Sequence, residues 1–98
     1  MSEMLIDYYK AIEDSSRRML DAAKAEDWEQ VVRFEGACAV LIEQLRHRAQ
    51  SEQLDEGARR EKSRIMLRIL NNDAQIRFLT ELSLAQVESK CQQPRTLH

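Results

Sequence analysis

Between Glu56 and Lys90 the sequence has no proline and a single glycine, Gly57, at its start, and its apolar residues return every three or four positions. A segment whose interior lacks the two residues that break or loosen helices, and with that period, predicts one long helix. At about 1.5 Å per residue it would run about 50 Å. Pro94 and a polar tail, residues 91–98, are expected to stop it.

The rest of the chain must fit against that rod. With two Gly and one Pro in 98 residues, and many Ala, Leu, Glu, Arg and Gln, it predicts a single all-α domain over residues 1–90. Helix 1 is predicted over residues 4–23. Its apolar positions are Leu5, Tyr8, Tyr9, Ile12, Met19, Ala22 and Ala23, with a polar gap at Ser15–Ser16. The short "KAED" that follows forces an antiparallel neighbour. Asp27 is the expected N-cap of helix 2, and Gln30 completes the pattern of a capping box. Trp28, the only tryptophan, then stands in the first turn, where it can fold back onto the end of helix 1.

Val31, Phe34, Cys38, Leu41 and Leu45 form the seam of helix 2. A second row, Val32, Ala39 and Ile42, widens it enough to touch two neighbours, and Gly36 is expected to permit a close helix crossing. Residues 46–57, "RHRAQSEQLDEG", lose the periodicity and are predicted as the second turn, with Ser51 or Asp55 capping helix 3. The expected architecture is an antiparallel three-helix bundle with a long third helix.

That third helix outruns its companions, which would each be about 30 Å long. The excess is not polar: Leu79, Leu82, Leu84 and Val87 continue the apolar pattern. Either a partner covers it, or the helix breaks at "NND", residues 71–73, and folds back. Helix 3 also carries two stripes. Ile65, Ile69, Asn72, Ile76 and Leu79 are assigned to the core. Met66, Leu70, Asp73 and Arg77 form the second stripe, whose mixture of apolar and charged residues suits a reversible interface.

Composition narrows the classes of function. A net charge of −2 gives no long-range attraction to nucleic acid, and the basic clusters at Arg17–Arg18, residues 46–48 and Arg59–Arg60 have acids among them and no aromatic residue for stacking. No window approaches the roughly 18 apolar residues of a membrane span. Glu3 and Asp7 stand where a secretory signal would be positive, so the N-terminus reads as mature structure. Cys38 and Cys91 are too few for a disulfide framework and read as reduced thiols of a cytoplasmic protein. No metal or cofactor site is expected: there is no Gly-rich phosphate loop and no GxSxG or HExxH motif, and His47 lies between two arginines. A helical mutase of the chorismate type would need a long first helix, and the arginines here pair with acids at helical spacing (Glu13/Arg17, Glu56/Arg60). The chain is therefore read as a non-enzyme. Nothing recurs at the 34-residue interval of a helical repeat array.

Helix 1 ending in Leu/Ala, the turn leading to Trp28 in "EDWEQVV" (26–32), the Val-rich second helix and "LRILNNDAQIR" (67–77) on the third together resemble the FliT family of flagellar type III export chaperones. The resemblance covers about residues 4–88. It implies a cytoplasmic chaperone for the filament-cap (hook-associated) protein, whose disordered C-terminal segment is received on the third helix. It also implies contact with the export ATPase complex and, in some bacteria, with the flagellar master transcription regulator. The family's binding face falls on Met66, Leu70 and Arg77, within the second stripe. A fourth helix that usually covers this face has no counterpart in "CQQPRTLH" (91–98). Autoinhibition is absent, the chain is cut short, or a second copy covers the face as a homodimer through the C-terminal half of helix 3. The competing reading is a helical homo-oligomeric scaffold or regulator with no export client.

Overall fold

The computed structural model describes residues 4–92, with side chains over 4–88. It holds three helices, α1 (Leu5–Lys24), α2 (Trp28–Ala49) and α3 (Glu56–Gln92), and no strand among the described residues. This is the predicted all-α fold with its long third helix. The tail with Pro94 and His98, and the side chain of Cys91, lie outside the described residues.

α1 is the centre of the fold. Its buried residues Leu5, Ile12, Ser16, Leu20 and Ala23 return at helical spacing, and both other helices pack on it. α3 runs parallel to α1. Lys10 pairs with Glu61 at 3.5 Å, Glu13 with Arg68 at 2.7 Å, and Ser16 with Asn72 at 3.0 Å, so the partners advance together along the two helices. From α3, Ile65 and Ile76 are buried against α1, and Cys38 is the buried residue of α2. α2 and α3 do not approach each other closely at the backbone. The result is an open bundle, 65 × 21 × 21 Å, with a radius of gyration of 18.0 Å. A compact chain of this length would have about 12.6 Å, so the molecule is a rod.

The turns follow from local chemistry. At the end of α1, Glu26 N–H donates to Ala23 O (3.0 Å) and Asp27 N–H to Ala22 O (2.9 Å), the paired bonds of a Schellman motif. Glu26 occupies the left-handed position, with φ 59°. Asp27 then caps α2 as predicted, its Oδ1 accepting from Gln30 N–H at 3.3 Å, but its own N–H donates to Ala22 O and not to the Gln30 side chain that a capping box would use. Asp55 serves α3 in the same way, accepting from Ala58 N–H at 2.7 Å. Ser51 instead closes α2, its hydroxyl donating to Arg48 O.

Three expectations change and one open alternative closes. α2 continues to Ala49, so the second turn begins after it. The loss of apolar period at residues 46–48 marks the end of packing, and Arg46, His47 and Arg48 suit the negative end of a helix dipole. Gly36 faces open space, since a Cβ there would meet nothing within 4 Å, so it permits no close crossing. The row Val32, Ala39, Ile42 is exposed, because α2 packs its backbone closely on α1 and not on α3. Finally, α3 is continuous through "NND". Asn72 turns inward to Ser16 and Asp73 pairs with Arg77 one turn on, so these polar groups are satisfied without unwinding.

Candidate partner-binding groove

The gap between α2 and α3 is a groove floored by α1. One recess, of about 390 Å³, is lined by Ile12, Ser16 and Met19 from below, by Cys38 and Ile42 from α2, and by Leu70 from α3. A second, of about 550 Å³, continues it toward the α1–α2 turn between Trp28, Val31 and Val32 on one wall and Arg77 and Thr80 on the other. Met19, Glu35, Asp73 and Ile76 border both recesses, so the two are one channel with a waist.

Its walls are apolar and uncovered. Leu70 is 57% exposed and Met66, one turn earlier on the same side of α3, 36%. Opposite them, Val32 is 64% and Ile42 37% exposed. Scattered exposed apolar residues are ordinary, but a row on each of two facing helices is a contiguous patch of the kind that marks an interaction surface. Cys38 adds to the apolar wall: burial raises its thiol above the ordinary value, against an opposing hydrogen bond from Ser15, and keeps it neutral.

The sequence-predicted site residues divide accordingly. Leu70, Asp73 and Arg77 edge the groove together, whereas Met66, one turn before Leu70 on α3, lines neither recess. Arg77 Nη2 lies 2.7 Å from Asp73 Oδ2, in a pair exposed to solvent. Trp28 is half-buried against the cluster of Leu20, Ala23 and Ile76, which it helps to close, and it also lines the groove. Asp27 acts only as the cap already described. The core stripe divides as assigned: Ile65 and Ile76 are buried, Ile69, Asn72 and Leu79 partly so.

Sequence reasoning missed the α2 wall. Val32, Ala39 and Ile42 were legible as a surplus apolar row, but the row was assigned to packing. A broader depression of about 710 Å³ around Tyr8, Val40 and His47 is bounded by α1 and α2 alone. It lacks the two facing apolar walls. Among the described residues no His, Cys, Asp and Glu cluster could hold a metal ion, and no helix is long and apolar enough to cross a membrane.

No curated protein and no solved structure matches the chain. A family model described as FliT, flagellar protein FliT, matches residues 6–96, which take in all three helices except Leu5, and both walls of the groove. The chain therefore belongs to the FliT family, whose members are flagellar export chaperones.

Proposed function

We propose that the chain holds the C-terminal segment of the filament-cap protein as an amphipathic helix in the groove between α2 and α3, in the cytoplasm, and delivers it to the export ATPase complex. The observation that carries this reading is the separation of α2 from α3, which leaves apolar rows on both walls and α1 as a floor. A client helix laid there buries its own apolar face on Leu70, Ile42 and Val32 by the helix-in-groove mode. The site is thus broader than helix 3 alone. The flagellar master transcription regulator is a further partner by family resemblance, which would give the chaperone a role in flagellar gene expression.

The test is calorimetric titration with the cap protein's C-terminal peptide. Leu70→Asp places a charge on an exposed wall, and so should leave helicity and melting temperature nearly unchanged. It should weaken the peptide at least tenfold, about 1.4 kcal/mol. The double change Met66→Ala with Leu70→Ala should weaken it in the same direction. Wild-type affinity in both variants rejects the groove.

A second reading rests on a separate observation. Past the end of α1, Leu82, Leu84 and Val87 of α3 are exposed, as is Phe78 just before them. A second copy packed on this stretch would form a homodimer and leave the groove free. Light scattering across a concentration series should show a dimer that Leu84→Glu with Val87→Glu dissociates. A monomer at every concentration ends that reading.

A further inference from the structure

We propose that the groove selects a client helix whose polar flank is basic, carrying lysine or arginine beside its apolar row. This rests on the groove being the client site, and it names the chemistry of the client there. Four charged side chains line the channel: Glu35 on the α2 wall, and Asp73, Arg77 and Glu81 on the α3 wall. Three are acids. The single cation, Arg77, is one turn from an acid on either side and is already engaged by Asp73. Glu35 and Glu81 make no ion pair among the described residues. Glu35 and Asp73 border both recesses from opposite walls, so carboxylates flank the waist of an otherwise apolar channel.

An apolar helix settling between them brings its flanking residues against these acids, in a setting drier than open surface. An acidic flank would meet like charge, and a basic flank would meet two carboxylates with no cation of their own. Arg77 is occupied, and the charge left over is negative.

The test uses three labelled, tryptophan-free helical peptides of about 16 residues, matching the run of α3 from Met66 to Glu81, about 22 Å. All share one leucine row; their polar flanks are lysine, glutamine or glutamate. Affinity is read by anisotropy, and occupancy of the groove by the emission of Trp28, which lines it. The lysine peptide should bind at least tenfold tighter than the glutamate peptide at low salt, with glutamine between, and the gap should narrow at high salt. Glu35→Gln with Glu81→Gln should close most of the gap. Glu29→Gln with Glu56→Gln changes net charge equally, at residues paired with Arg33 and Arg60 outside the groove, and should leave the gap intact. Equal binding of all three peptides, or a gap that survives the groove variant, overturns the charge selection while the groove reading stands. Failure of all three to bind, or binding of the lysine peptide that is indifferent to Met66→Ala with Leu70→Ala, overturns both.

Discussion

Glu26 closes α1 with a φ of 59°, a conformation that crowds any side chain with a Cβ. The Schellman bonds hold it there, because Asp27 must turn at once to cap α2. The left-handed state costs a non-glycine residue about 1–2 kcal/mol, and glycine returns about half of that through its freer unfolded chain. Glu26→Gly should therefore stabilise the protein by about 0.5–1 kcal/mol, seen as a higher melting temperature, and Glu26→Ala should give no such gain. Glu52 makes a different local link. Its carboxylate accepts from Leu5 N–H at 2.8 Å and from Arg48 Nε at 3.1 Å, tying the second turn to the start of α1. The Leu5 amide first, and Arg48 after it, hold this carboxyl below its usual range. A lowered pKa means that the ion stabilises the fold above the ordinary carboxylate value of about 4.3 and that this contribution is lost as pH falls through the lowered value. Urea midpoints of wild type and Glu52→Gln should therefore differ at pH 7 and converge on acidification below pH ~4. A constant difference across that range would show that the charge is irrelevant.

At the scale of the helix, Asn72 explains how α3 keeps one course through a polar stretch. It donates to the buried Ser16 hydroxyl, which itself donates to Glu13 O, so two polar residues from facing stripes complete each other. Asn72→Ala should cost about 1 kcal/mol in thermal or urea unfolding, whereas Asn71→Ala, at an exposed neighbour, should stay within about 0.5 kcal/mol. Equal effects would mean that the Ser16 bond contributes nothing. The element also shows what was legible in the sequence. The inward stripe of α3, the N-cap at Asp27, Asp55 as one of two candidate caps beside Ser51, and the placement of Trp28 at the α1–α2 turn follow from rules that act within a few residues. The polar gap at Ser15–Ser16 and the Asn72 position were each visible, but their pairing depends on the register of two helices 56 residues apart in sequence. The same limit applied to α2. Its surplus row was evident, but periodicity says only that a face is apolar, and cannot distinguish a second packed neighbour from a gap left for a guest.

That gap governs the behaviour of the whole molecule. α1 is covered by two helices, α2 chiefly by α1, with Trp28 and Val31 at its start also packed on the cluster that Ile76 joins, and α3 by α1 along its first two thirds, with Leu84 and Val87 beyond reach of that support. Local stability follows buried contact, so the three helices should not open together. Amide exchange should be slowest in α1 and in α3 from Ile65 to Ile76, faster in α2, and fastest in α3 beyond Ser83. Because α2 is held chiefly by one neighbour, a helix seated in the groove becomes its second. Client binding should therefore slow exchange in α2 more than in α1, and raise the melting temperature with client concentration as mass action requires. If α2 exchanges as slowly as α1 without client, the two walls meet in solution and the groove is closed. If client slows α3 alone, the guest lies on one helix and α2 is no part of the site. Slowing confined to α2 and the facing edge of α3 is the signature of a guest that completes the bundle by taking the place of its missing α2–α3 contact.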